Sequence, residues 1–242
     1  TKVVLQTAAA LLALQGGSGF HGVTNPFTGG AIWLGPFGAV ATVLWIVGIT
    51  NAFNLIDGLD GLAAGTGLIA ALTLFLVSLS EGRPDAALLA ITLAGALVGF
   101  LRFNFNPATI FLGDAGSLLL GYVLSVLSIQ SLQKGPTTVV ILVPILTLGL
   151  PIIEATVTIG RRVLVAGLAS VIQADQAHIH HRLLDLGMTH RRAVLLLYAV
   201  CVAFGALAFL AVSARGRGDA LIVAAVALAA FLAVRKLGYR RR

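Results

Sequence analysis

The amino-acid sequence predicts an all-α fold, a polytopic bundle of membrane-spanning helices with its active loops at one face of the membrane. Hydrophobic residues make up 58% of the chain and charged residues only 10%, whereas soluble domains carry about a quarter charged residues. Apolar runs of near-membrane length recur along the chain. Because lipid cannot satisfy open strands and no alternating barrel pattern occurs, these runs are predicted to be helices.

About eight apolar segments fit this architecture, and the first of them is too short for a full crossing of about 20 residues. In chain order they cover residues 3–14, 31–49, 62–79, 86–101, 116–132, 139–159, 193–212 and 220–234. Tight polar turns containing Pro84 and Pro136 separate two pairs of them. We therefore expect one membrane-embedded catalytic domain over residues 1–242, lacking N-terminal helices and any separate soluble domain.

Basic residues predict the orientation of this bundle. If successive segments alternate in direction, twelve of the 16 Lys and Arg residues lie on one side, which is then cytoplasmic. The net charge is +7, but long apolar runs separate the basic residues. Anionic lipid headgroups are therefore the expected partner, and nucleic acid is not. The single cysteine, Cys201, predicts no internal disulfide.

The unusual polar clusters all fall in loops of that same side, at residues 50–61, 102–116 and 160–192. A transporter would place ionisable groups near the membrane midplane, and Glu154 is the one clear acid within a span. This one-sided arrangement favours chemistry on a water-soluble substrate. A transporter, which needs ligand access from both sides, and a noncatalytic membrane scaffold are the alternatives.

The first cluster is NAFNLIDGLDGLAAG at residues 51–65. Asp57 and Asp60 are three residues apart and could share a face of a helical turn, while Gly58 and Gly61 let the backbone approach a ligand closely. Two such carboxylates suit magnesium, sugar hydroxyls or the edge of a nucleobase. The alternative is a simple asparagine and aspartate cap on the helix that begins near Leu62.

The second cluster is FLRFNFNPATIFLGDAGS at residues 100–117. Asp114 stands between two glycines just before a span, where a carboxylate can hold a cation that bridges phosphates. The alternative is a helix cap made by Asp114 or Ser117. Phe103, Phe105 and Phe111 are typical interfacial anchors, although any of them could stack on a base.

The third cluster is ADQAHIHHRLLDLGMTHRR at residues 174–192. His178, His180, His181 and Arg182 place four nitrogen-bearing side chains within five residues. The spacing lacks the two-histidine helical pair of a zinc protease, so a diphosphate is the better ligand for histidine with arginine. A solvated basic loop against headgroups is the alternative. The spacing predicts no role for His190.

In this order the clusters resemble the polyprenyl-phosphate N-acetylhexosamine-1-phosphate transferase family, in its bacterial undecaprenyl-phosphate GlcNAc-1-phosphate transferase branch. The resemblance extends from the segment 1–6 to Arg192, and HIHHR differs from the three-histidine run of the muramoyl-pentapeptide transferase branch. It implies transfer of N-acetylglucosamine-1-phosphate, or a related N-acetylhexosamine-1-phosphate, from a UDP-sugar to undecaprenyl phosphate with release of UMP. This reaction would be the first membrane step of cell-envelope glycan synthesis, at the cytoplasmic face of the bacterial plasma membrane.

The resemblance further implies partners and residue roles. Mg²⁺ is the implied cofactor, with Mn²⁺ as an alternative, and the partners are a UDP-N-acetylhexosamine, a polyprenyl phosphate, membrane lipids and a second copy in a homodimer. Asp57 and Asp114 are the implied catalytic residues, Asp114 as the magnesium ligand. Phe111 is expected to stack on the uracil, and Asp60 to address its edge. The nucleotide-binding set is Asn54, Gly58, Leu59, Asp60, Asn104 and Phe111, and the diphosphate and sugar set is His178, His180, His181 and Arg182.

The chain departs from the family pattern at two places. The family carries two adjacent aspartates just before the segment that here begins at Thr1, so we expect this chain to be N-terminally incomplete and inactive alone. Glu154 stands where the family usually has aspartate. In the implied reaction a prenyl phosphate oxygen attacks phosphorus and UMP leaves, so positioning and charge neutralisation dominate catalysis. Direct transfer and a covalent intermediate both remain open.

Overall fold

The computed structural model describes residues 2–24, 31–131, 139–166 and 183–214. Its helices are α1 Lys2–Gln15, α2 Pro36–Ile56, α3 Leu62–Ser80, α4 Pro84–Asn104, α5 Gly113–Gln130, α6 Val139–Thr147, α7 Gly149–Ala166 and α8 His190–Ala214. Within the described ranges, α2, α3, α4, α5 and α8 are long and apolar enough to cross a membrane. The predicted membrane helix bundle is confirmed.

A short antiparallel ribbon corrects the predicted start of the second span. Strands β1, Gly22–Thr24, and β2, Ala31–Trp33, pair so that Gly22 lies opposite Trp33. The span predicted from residue 31 therefore begins only at Pro36, after the ribbon. It also continues to Ile56 rather than ending at residue 49, so more than half of the predicted loop 50–61 is helical.

The span predicted at 139–159 is divided into two helices. Helix α6 ends at Thr147 and α7 begins at Gly149. Pro144 lies inside α6, and proline and glycine are the residues that least favour a continuous helix interior. The span predicted at 220–234 lies outside the described residues.

Close helix packing builds the core. Helix α3 packs along α4 and α8, and α2 packs along α5, around buried side chains that include Phe53, Leu74 and Leu124. At the crossing of α2 and α5, a Cβ atom on Gly121 would lie 2.8 Å from the Cα atom of Thr50. Small residues of this kind allow membrane helices to approach closely, which is the main source of their association.

The alternating direction of the helices gathers the polar loops at one end of the bundle. That end contains the first turns of α1 and α5, the last turn of α2, the turn before α3, and the connection between α4 and α5. Side-chain hydrogen bonds join α1, α2 and α5 to one another, and join the turn before α3 to the connection. The first turn of α8 joins it as well. The predicted one-sided arrangement is confirmed for the parts of the first two clusters and of α8 that the structure describes.

Candidate active site

The centre of the polar end is a hydrogen-bonded group around Asp114 in the first turn of α5. Asn54, in the last turn of α2, donates from Nδ2 to Asp114 Oδ1 and to Ser117 Oγ, both at 2.9 Å. The Lys2 ammonium donates to Asn54 Oδ1 at 2.8 Å and lies 3.4 Å from Asp114 Oδ2. The Asp114 side chain is nevertheless 77% exposed, so its carboxylate is accessible to a ligand from the aqueous side.

Asp57 lies beside this group, directly after the last residue of α2. Burial, and after it the negative charge of Asp114, raise the pKa of its carboxyl from 3.8 to about 6. The chain therefore brings two carboxylates close enough to repel one another. Among the described contacts, the Lys2 ammonium is the one cation beside the pair. Such a pair concentrates negative potential where a cation would relieve it.

This donor set fits magnesium. Mg²⁺ is usually held by one or two carboxylates, with substrate phosphates and water completing the coordination. Asp57 and Asp114 supply two carboxylates, and no group of three or more His, Cys, Asp or Glu that could hold a metal occurs among residues 2–24, 31–131, 139–166 and 183–214. A magnesium ion at these two carboxylates would take its remaining ligands from phosphate and water.

Helix capping does not explain the aspartates. Gly61 precedes α3 at φ +81° and Leu112 precedes α5, and neither helix has a side-chain cap at its start. Ser117 instead donates to the Gly113 carbonyl oxygen at 2.9 Å within the first turn of α5. The capping alternative is therefore wrong for both clusters, and their polar side chains are left for contacts between elements.

Asp57 and Asp60 do not share a helix face, because residues 57–61 form a turn. Asp57 lies close enough to Asp114 for the charge of Asp114 to raise its pKa. Asp60 Oδ2 instead accepts hydrogen bonds from Asn106 Nδ2 at 3.0 Å and from the Ala108 backbone N–H at 3.1 Å. Asp60 thus joins the turn before α3 to the connection between α4 and α5. Its contact with a uracil edge stays a prediction.

Two other members of the predicted nucleotide set lie in or beside that connection. Asn104, buried at the end of α4, donates to the Ile110 carbonyl oxygen at 2.9 Å and so shapes the loop from within. Phe111 is 72% exposed, so its ring is available both for stacking and for insertion at the membrane interface. In the turn before α3, Gly58 is exposed and Leu59 is buried against Leu183 and neighbouring apolar side chains.

The first turn of α8 contributes contacts that the sequence did not predict. His190 Nε2 accepts the Asp60 backbone N–H at 3.1 Å, and Arg191 Nε donates to the Asn106 carbonyl oxygen at 2.9 Å. Two turns further, the Tyr198 hydroxyl donates to the Gly61 carbonyl oxygen. Arg191, the last turn of α4 and the α4–α5 connection line a pocket of about 540 Å³. In the sequence, the only sign of these contacts was the run of charged residues at the start of an apolar helix.

The third cluster is described only from Leu183 onward. His178, His180, His181 and Arg182 lie outside the described residues. Glu154 is buried in α7, with 1% of its surface exposed. The described part of the site therefore consists of the first two clusters, Lys2 and the first turn of α8.

Comparisons with known proteins identify the family of this chain. The model of the family described as glycosyl transferase family 4 matches residues 1–132. The chain is 43% identical, over 82% of its length, to a probable undecaprenyl-phosphate N-acetylglucosaminyl 1-phosphate transferase of Bacillus subtilis strain 168. It is 35% identical, over 93% of its length, to a decaprenyl-phosphate N-acetylglucosaminephosphotransferase of Mycobacterium leprae.

A third relative carries a different name. The chain is 40% identical, over 75% of its length, to a phospho-N-acetylmuramoyl-pentapeptide-transferase of Rubrobacter xylanophilus. The chain spans 55%, 62% and 52% of the lengths of these three relatives, in the order given. The names of all three describe transfer of a phosphosugar group, and two of them name a polyprenyl phosphate.

Proposed function

We propose, since this chain belongs to glycosyl transferase family 4, that it transfers N-acetylglucosamine-1-phosphate from UDP-N-acetylglucosamine to undecaprenyl phosphate and releases UMP. A related N-acetylhexosamine or another polyprenyl phosphate falls within the same chemistry. The observation that carries the proposal is the pair of carboxylates, Asp57 and Asp114, held at one end of a membrane bundle beside an exposed aromatic ring. The names of the Bacillus and Mycobacterium relatives support the sugar and the lipid acceptor.

Phosphoryl transfer needs positioning and charge neutralisation more than covalent help from protein. In the proposed reaction an oxygen of the prenyl phosphate forms a bond to the sugar-proximal phosphorus. The bond from that phosphorus to the bridging oxygen breaks, and UMP leaves with the electron pair. A bound Mg²⁺ would neutralise negative charge on the diphosphate, with Asp114, and Asp57 beside it, holding the ion.

The other roles in the proposed transfer belong to polar and aromatic side chains of the three clusters and to Lys2. Asn54 and Lys2 orient the Asp114 carboxylate through the hydrogen bonds described above. Asp57 is ionised above a pKa of about 6, so at neutral pH it can hold a cation or accept a proton from the acceptor phosphate. Phe111 and Asn104 belong to the nucleotide side of the site, and we assign the diphosphate and sugar to His178, His180, His181 and Arg182.

The membrane arrangement is consistent with a lipid acceptor. The prenyl chain dissolves in the bilayer and the charged UDP-sugar does not, so the reaction belongs where the helices end at the aqueous boundary. We assign this end to the cytoplasmic face of the bacterial plasma membrane, because twelve of the 16 Lys and Arg residues fall on that side of the predicted topology.

The test is release of UMP by the purified full-length protein in detergent, with UDP-N-acetylglucosamine, undecaprenyl phosphate and Mg²⁺. Asp114→Asn is expected to lower the rate at least about 100-fold, the usual effect of losing one preorganised electrostatic group. Its thermal stability should change little, because the side chain is largely exposed. Asp85→Asn is the matched control, since Asp85 is also an exposed aspartate in a first helical turn, that of α4, at the opposite end of the bundle.

The outcomes separate the alternatives. UMP release without any transmembrane gradient supports an enzyme over a transporter. Near-normal turnover of Asp114→Asn at low Mg²⁺ would overturn the role of the carboxylate. A wild-type protein that binds UDP-sugar but never releases UMP would favour the scaffold alternative.

A further inference from the structure

The first turn of α8 closes a ring of hydrogen bonds with the two loops of the site. His190 Nε2 accepts from the Asp60 backbone N–H, and Asp60 Oδ2 accepts from Asn106 Nδ2. The Asn106 carbonyl oxygen in turn accepts from Nε of Arg191, the neighbour of His190. Each residue of the ring is bonded to the next, from three segments that are far apart in the chain.

We infer that His190 is a positioning residue for the nucleotide part of the donor, with Arg191 as its partner in the same task. Neither residue belongs to the predicted nucleotide or diphosphate sets. The inference rests on the proposed function, because it concerns how the donor loops are held. It adds α8 to the elements that determine affinity for the UDP-sugar.

The turn before α3 depends on outside support. Residues 57–61 contain Gly58 and Gly61, and glycine gives the backbone more freedom than any other residue. Gly61 has a φ of +81° and the start of α3 has no side-chain cap. The hydrogen bond to His190 Nε2 therefore sets the direction of the Asp60 backbone N–H. A ring nitrogen accepts such a bond only when it carries no proton.

The second loop is held in the same way. Asn106 lies in the connection between α4 and α5, two residues after Asn104 and five before Phe111. Its amide holds the Asp60 carboxylate, and Arg191 holds its carbonyl oxygen. A shift of the α8 start would thus move Asp60 and the loop beside Phe111 together. It would leave Asn54, Ser117 and Asp114, which are bonded to one another, in place.

This separation predicts a specific kinetic effect. Loss of the His190 acceptor should raise KM for the UDP-sugar and Kd for UDP about tenfold, the scale of one hydrogen bond to a site group. The rate at saturating donor and the Mg²⁺ dependence should stay within about twofold of wild type. A residue that merely stabilised the fold would instead lower activity and Tm together.

The experiment compares three variants of the full-length protein. His190→Leu removes the acceptor, and His190→Gln restores an acceptor oxygen near the position of Nε2. His21→Leu is the matched control. His21 stacks on Trp33 of the ribbon after α1, and the site lies beside the first turn of α1 at the other end of that helix. UMP release is measured against donor concentration, and binding of UDP is measured by calorimetry. We expect only His190→Leu to show the rise in KM and Kd, and His190→Gln to recover most of it.

Unchanged KM and Kd in His190→Leu would overturn the inference, as would equal defects in His190→Leu and His190→Gln. If His190→Leu gave little folded protein, Arg191→Leu removes the other bond of α8 to the loops and should raise KM in the same direction. An unchanged KM there would also contradict the inference. Absence of UMP release by the wild-type protein is a separate result, which contradicts the proposed function itself.

Discussion

Replacing Asp57 with asparagine should make the protein more stable and inactive. The carboxyl has a pKa of about 6 in the folded protein and 3.8 as its ordinary value, because burial and then the charge of Asp114 disfavour its ionised form. Ionised Asp57 therefore destabilises the folded state at neutral pH. Asparagine has similar size and carries no charge, so it removes this penalty together with the carboxylate that the proposed reaction needs.

The size of the effect follows from the pKa difference. A rise from 3.8 to about 6 corresponds to a ceiling of about 3 kcal/mol at pH 8, at about 1.4 kcal/mol per unit. The carboxyl is partly exposed, so solvent screening reduces the stabilisation expected from Asp57→Asn to about 1.5 kcal/mol. For a chain of this size that is a rise in Tm of roughly 3 to 6 °C.

The pH dependence gives the sharper test. The folded protein disfavours the charged carboxylate, so the penalty is small below pH 3.8, grows as pH rises towards 6 and is constant above that. Thermal unfolding in detergent should therefore show a clear gain for Asp57→Asn at pH 8 and little gain at pH 4, where about 0.3 kcal/mol remains. Asp85→Asn, at the opposite end of the bundle, should show neither. A gain of equal size at both pH values, or destabilisation at pH 8, would refute the reasoning.

Two further predictions follow from exposure and packing. Phe111→Ala should weaken binding of the UDP-sugar by about 1 to 3 kcal/mol, the value of stacking on one base, without lowering Tm, because the ring is 72% exposed. Calorimetry checks this, and unchanged affinity would leave Phe111 as an interfacial anchor. Gly121→Ala should cost about 1 to 3 kcal/mol of stability, because the new methyl group would meet the backbone at Thr50. Gly99→Ala is the control for thermal unfolding, because the new methyl group would meet no other side chain or helix within 4 Å. Equal Tm changes would contradict the packing argument.

Several features were predictable from the sequence because they depend on local composition. An apolar chain with few charges and no alternating barrel pattern can only be stable in lipid as helices, so the fold class and most spans followed directly. The family resemblance is confirmed by the match to glycosyl transferase family 4 over residues 1–132. The alternating direction of spans also placed Asp57, Asp60 and Asp114 at one end before any contact was known.

Tertiary structure decided which polar groups meet. Nothing local indicates that Lys2 reaches Asp114, or that Asp57 feels the charge of Asp114. Nor does it indicate that Asp60 bonds to Asn106, or that His190 accepts the Asp60 N–H. The ribbon of residues 22–24 and 31–33 was missed for the same reason, since strand pairing needs a partner and residue 31 begins an apolar run. Composition and hydrophobic periodicity determine whether each segment is a helix or a loop. A hydrogen bond between distant residues depends on how the helices pack, and packing is a property of the whole chain.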